Sequence, residues 1–315
     1  MTTILEGPPK PAVGESHAER LQEETTASRL HFRWPGVRKS LSRDQKQQAA
    51  GAFDADSRTL SAAKRLFDTS HPSFRAVSAI KTNASSLWKG MTLAYIEPGV
   101  RLLRRSDVAE FDSRISIIRS DLQEAVQQLD QCYGELVEQA RGQLGHLFDS
   151  RDYAASMSDL FALSWDYPSV TPPNYLRTVS PELYEQECQR VRGKFEETVA
   201  LAEQLFAEEL TGLVNHLAER LSGNADGKPK VFRDTAVTAL NSFFTRYQHL
   251  NIRSNKELDE LVDDAKQVVR GVSPDALRRK STLRDQVAKS LAQVEASLQE
   301  LMVDRPRRNI IRGAR

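Results

Sequence analysis

The side chains of this chain best suited to nucleophilic or metal chemistry are two cysteines and six histidines, and their spacing decides what they can do. Neither Cys132 nor Cys188 lies in a Cys-x-x-Cys pair. A reactive thiolate needs a base and an electropositive surrounding. Only Arg190 and Arg192, near Cys188, offer any of that, so both cysteines read as reduced structural thiols inside helices, as in a cytosolic protein. Of His17, His31, His71, His146, His216 and His249, none pairs with a Cys, His or acid at zinc-ligand spacing. His216 and Glu219 share a helix face, which reads as a surface contact. The run Gly223 to Lys228 continues into Pro229 and lacks the glycine spacing of a phosphate-binding loop, so it reads as a solvated loop. The acids of Glu257 to Asp264 fall on the polar side of an amphipathic helix. No catalytic, cofactor or metal residues are therefore assigned, and the chain is expected not to be an enzyme. A site assembled from distant residues is the third-ranked alternative.

Binding chemistry is better represented. Arg101, Arg104 and Arg105 cluster before a long helix, and a second basic group gathers toward the C-terminus. In it Arg278, Arg279, Lys280, Arg305, Arg307, Arg308 and Arg312 are candidate nucleic-acid contacts, because such groups neutralise phosphates. The whole chain carries only +1, so no global basic field supports them. Near the other end, Leu30, Phe32 and Trp34 alternate before Pro35-Gly36. Phe32, Trp34 and Arg38 are candidate protein-partner contacts, and the competing reading is that this stretch covers the helical core.

These side chains need elements to position them. Residues 1–28 are rich in Pro, Gly, Glu and Thr and read as a disordered segment. Leu30 to Trp34 reads as a short edge strand turned by Pro35-Gly36. Helices are expected from about residue 57, with Leu60, Ala63, Leu66 and Phe67 on one face, and again after Pro72. Glu97-Pro98-Gly99 reads as a turn. From Val108 to Leu147 apolar residues recur at alternating spacings of three and four, the mark of a coiled-coil seam. A short helix is expected over 153–163, then a loop packing aromatics. A second long helix starts at the Ser180-Pro181 cap and runs to Leu221. Shorter helices follow at 231–249, at 254–270 with Ser254 and Glu257 as a capping box, and at 273–302. The tail from Asp304 is basic, with five Arg against one Asp in 303–315.

The fold class expected is mainly α: an elongated helical bundle on a long antiparallel coiled-coil pair, residues 105–148 and 180–222, with a small N-terminal strand region. The regions are 1–28, 29–104, 105–223, 231–303 and 304–315. Aromatic residues at 7% argue against a large compact core. No apolar run reaches the roughly 18–20 residues of a membrane span, and the N-terminus has no signal-peptide pattern, so a cytoplasmic protein is expected. A coiled-coil seam also allows self-association.

The stretch Leu30 to Leu41, the Lys64-Arg65-Leu66-Phe67 and Lys81 region, the segment Tyr95 to Pro98 and the two long helices stand in an order that resembles a bacterial and phage domain-of-unknown-function family. The likeness covers residues 29–303, and Pro35 replaces the small polar residue usual in that family. Its members are encoded on phages and other mobile elements, often beside a MoxR-type AAA ATPase. The resemblance implies a mobile-element protein with an ATPase partner and assigns no catalytic residues. The function expected is a non-catalytic scaffold or adaptor, with a nucleic-acid-binding accessory protein as the alternative.

Overall fold

The computed structural model describes residues 16–221 and 235–303. The elements are α1 (His17–Glu24), β1 (Thr25–Arg33), β2 (Arg38–Ser40), α2 (Arg43–Gly51), β3 (Ala63–Arg65), α3 (Pro72–Met91), β4 (Thr92–Ala94), β5 (Arg101–Arg104), α4 (Val108–Gln131), α5 (Tyr133–Leu144), β6 (Ala162–Asp166), α6 (Leu176–Val179), α7 (Pro181–Leu221), α8 (Thr235–Leu250), α9 (Lys256–Val269), α10 (Pro274–Arg279) and α11 (Ser281–Val303). The protein is mainly α, with a four-stranded antiparallel sheet of order β4-β5-β1-β6 and a separate β2–β3 ribbon. The chain forms two compact units, each assembled from separate segments: 1–27, 91–105 and 169–315 make unit 1, while 28–90 and 106–168 make unit 2.

Among the described residues the expected antiparallel coiled-coil pair is not formed. Residues 106–148 belong to unit 2 and 180–221 to unit 1, and each long helix buries its stripe on elements of its own unit. A 3/4 apolar spacing shows that a helix has one buried side and does not name what covers it.

In unit 1, α7 is the spine. Ser180 Oγ accepts from Leu183 N at 3.4 Å, and Pro181 occupies the favoured first position. Phe195, Phe206, Leu210, Val214 and Leu217 are buried along it, and α11, α1, α8 and α9 pack against it. The helices α8, α9 and α11 are thus partners of α7. Residues 16–24, expected to lack order, form a helix because Ser16 and Glu19 make a reciprocal capping box, Glu19 N to Ser16 Oγ 3.2 Å and Ser16 N to Glu19 Oε2 3.1 Å. Strands β4 and β5 form a hairpin in which Leu93 faces Leu102; its turn is closed by Val100 N on Glu97 O at 3.2 Å, with Gly99 at φ 79°. Arg101 wraps its guanidinium onto Thr92, Nε to Oγ1 and Nη2 to the carbonyl oxygen at 2.7 Å each. Burial pushes Arg101 down to about 10. The cap of α9 is Asn255, accepting from Leu258 N at 3.0 Å, in place of the expected Ser254–Glu257 box. The helix expected over 273–302 is interrupted at Lys280, which separates α10 from α11.

In unit 2, α4 buries Phe111, Ile115, Ile118, Leu122, Val126 and Leu129 and packs on β6 and on the tight turn at Ser158–Leu160. The long helix of the sequence is interrupted at Cys132, and α5 ends at Gly145 with φ 50°. Just before the interruption, Asp130 accepts from Met157 N (2.6 Å) and Ser156 Oγ (3.0 Å), which ties down residues 156–158. The helix expected from residue 57 is instead turn followed by β3, and 153–163 is short turns leading into β6. Strand β1 runs antiparallel to β6, with Arg29 opposite Asp166 and Phe32 opposite Leu163. Among the described residues no helix is long and apolar enough to cross a membrane.

Candidate functional site

Of the residues singled out as partner contacts, Phe32 and Trp34 come together in unit 2 and Arg38 does not join them. Trp34 meets Phe32 edge-on at 6.0 Å and Phe161 at 4.9 Å. Phe161 contacts Phe74, which contacts Phe67, and Phe67 reaches Tyr153 and Tyr133. Lys81 Nζ lies 5.3 Å from the centre of the Phe32 ring and 5.1 Å from that of Trp34. Phe32 and Trp34 are therefore half-buried ends of a continuous aromatic core, roofed by a cation. Arg38 is exposed on β2, opposite Arg65.

The neighbouring strand presents the better surface. Strand β6 is the outermost of its sheet, and its Trp165 donates its indole N–H to Asp112 Oδ1 of α4 at 2.8 Å. The Arg119 guanidinium lies 4.9 Å from the centre of the Trp165 ring. Tyr167, 38% exposed, follows directly. On β1, Arg29 clamps Asp166 with Nε to Oδ1 at 3.1 Å and Nη2 to Oδ2 at 2.7 Å, while His31 Nε2 lies 3.0 Å from Asp166 Oδ1. The hydrogen bonds from Arg29 hold the Asp166 carboxyl down to about 2; desolvation opposes this, and His31 adds to the lowering. This group of Arg, Trp and Tyr, fixed by hydrogen bonds on an exposed edge, has the composition of protein-interface anchors. Sequence reading placed the Trp165 to Pro168 run in a loop. The alternation of Leu163 and Trp165 with Ser164 and Asp166 was the signal for a strand.

Unit 2 also buries a charged pair. Lys64 Nζ lies 2.6 Å from Asp152 Oδ2 and donates to Leu147 O at 2.6 Å; the side chains of Lys64 and Asp152 are only 5% and 2% exposed. Lys39, half exposed, bonds the other carboxylate oxygen. Burial works to raise Asp152, but the hydrogen bonds from Lys39 and Lys64 outweigh it and the carboxyl is held low. With a carbonyl and two cations around one carboxylate, the arrangement locks the β2–β3 ribbon to the Ser150–Asp152 turn.

In unit 1, Cys188 lines an open cavity of about 380 Å3 with Glu19, Gln22, Pro172, Glu185, Gln189 and Arg192. The flanking arginines are engaged elsewhere, Arg192 with Glu19 (2.7 Å) and Arg190 with Glu187 (2.5 Å). Arg278, Arg279 and Lys280 are exposed where α10 meets α11, and Arg278 pairs with Asp275 at 2.9 Å. Arg305, Arg307, Arg308 and Arg312 lie outside the described residues, as does the Gly223 to Lys228 run. Among the described residues no three His, Cys, Asp or Glu side chains converge as metal ligands. No protein-family model, curated protein or solved structure matches this chain.

Proposed function

We propose that the protein is a non-catalytic helical scaffold or adaptor that holds a protein partner on the β6 edge of unit 2. The observation that carries this reading is the Trp165 arrangement: an indole tied to Asp112 and overlaid by Arg119 on an outermost strand. Binding anchors of this kind cost little entropy to dock because their rotamers are already held. The likeness to the mobile-element family supports a MoxR-type AAA ATPase as the partner, acting in the cytoplasm.

The test is affinity capture by the tagged chain from its native host, comparing wild type with Trp165→Ala at about 50 and about 200 mM salt. A defined protein retained by the wild type at both salts and lost from Trp165→Ala supports the adaptor. Equal retention by the variant overturns docking on β6. The exposure of Arg278, Arg279 and Lys280 favours a second reading, the nucleic-acid-binding accessory protein. Recovery of nucleic acid alone, disappearing as salt rises, would put that reading first.

A further inference from the structure

Strands β2 and β3 pair with Arg38 opposite Arg65, Lys39 opposite Lys64 and Ser40 opposite Ala63. Successive strand residues point to opposite faces. Lys39 and Lys64 therefore share one face of the ribbon, and Arg38, Ser40, Ala63 and Arg65 share the other. Two of the three cross-strand pairs set cation against cation, an arrangement that is destabilising by itself.

On the lysine face the fold supplies the counter-charge. Asp152 meets Lys64 through Oδ2 at 2.6 Å and Lys39 through Oδ1, so one carboxylate serves both cations. Further bonds hold the ribbon in place, Lys64 Nζ to Leu147 O at 2.6 Å and Tyr153 Oη to Leu66 O at 2.7 Å. Its pairing continues past both ends, Leu66 N to Val37 O at 2.9 Å and Leu41 N to Ala62 O at 3.1 Å.

The arginine face is different. Arg38, Ser40, Ala63 and Arg65 are all exposed. Among the described residues no carboxylate forms an ion pair with Arg38 or Arg65. Asp68 feels Arg65, but it is held low chiefly by Ser70, whose N–H and hydroxyl donate to Oδ1 at 2.8 and 2.7 Å. Residues directly opposite each other place their Cβ atoms about 5 Å apart. Two guanidinium forks rooted that close can grip one tetrahedral oxyanion with paired N–H···O bonds. Ser40 adds a hydroxyl donor, and the small Ala63 leaves the approach open.

We propose that this face holds a phosphate group between Arg38 and Arg65, which does for the arginines from outside what Asp152 does for the lysines from within. A nucleic-acid backbone and a free phosphate present the same group, and a two-stranded ribbon is narrow enough to enter a major groove. The site uses neither Trp165 nor the β6 edge.

The test compares the full-length wild type with Arg38→Gln, Arg65→Gln and Arg38→Glu. Thermal melting is followed in sodium phosphate and in sodium chloride of equal ionic strength. Binding to duplex DNA is followed by fluorescence anisotropy between about 50 and 200 mM salt. Phosphate is expected to raise the melting temperature of the wild type by about 2 °C or more over chloride, and to give the variants no such gain. Arg38→Glu sets an acid opposite Arg65, so in chloride it should melt no lower than the wild type, which separates a lost site from a damaged fold. Where the phosphate belongs to nucleic acid, each Gln variant lowers the slope of log Kd against log salt by about one. A phosphate gain with DNA binding absent, or indifferent to the variants, assigns the site to a free phosphate group. No phosphate gain in the wild type together with DNA binding absent or indifferent to the variants overturns the proposal, as does a phosphate gain shared by both Gln variants.

Discussion

Lys64 and Asp152 meet at 2.6 Å with both side chains almost entirely out of solvent. Removing one member of such a pair strands the other. We expect Asp152→Ala to destabilise unit 2 by about 3 kcal/mol, read from urea unfolding. Lys39→Ala, at a half-exposed position, should cost no more than about 1 kcal/mol. The double variant Lys64→Met with Asp152→Leu should lose less than Asp152→Ala alone. A double variant as unstable as the single one would show that the pair is not what holds the β2–β3 ribbon.

Asp166 gives a pH signature. Its folded value, about 2, lies below the roughly 3.9 of an unfolded Asp. A depressed carboxylate stabilises the fold fully above its unfolded value and loses that contribution as pH falls through the folded one. Wild type should therefore lose stability between about pH 4 and pH 2 more steeply than Asp166→Asn. Parallel acid-unfolding curves for the two proteins would remove Arg29–Asp166 from the account of β1–β6 pairing.

The two tryptophans should separate stability from binding. Trp34 is a half-buried terminus of the aromatic core, so Trp34→Ala should lower the melting temperature, at a cost of about 2 kcal/mol. Trp165→Ala should leave the melting temperature nearly unchanged and abolish capture of the partner. The reverse pattern would return the partner surface to Phe32 and Trp34.

Leu210 of α7 and Leu298 of α11 are both completely buried in the unit 1 core. Either substitution by Ala should cost about 2–5 kcal/mol. A cost near zero at Leu298 would mean that α11 is not the main cover of α7.

Helices were far more legible than their partners. Ser180-Pro181 marked the start of α7 and Pro72 that of α3, because capping and proline preferences act over a few residues. The Ser16–Glu19 box was equally local and was masked by the disorder-prone composition around it. The α4 and α7 stripes were read as buried, yet which helix covers which depends on contacts between residues far apart in sequence, 91 residues for Thr211 and Met302 and 173 for Glu19 and Arg192. At the candidate site, Phe32 and Trp34 were visible through their alternation. Asp112, Arg119 and Trp165 were not, since they sit on two elements joined only by the fold.

The interleaving of the units sets a timetable for synthesis. Helix α1 leaves the ribosome first, but the helix it packs on, α7, begins only at Pro181. At about 5–20 residues per second the wait is roughly 10–30 s. During that time Leu21 and Ala18 have no native cover, while unit 2, complete by residue 168, can already close. Nascent chains long enough to free residue 168 from the ribosome, yet too short to free α7, should thus carry a protease-resistant second unit and an α1 still open to cleavage.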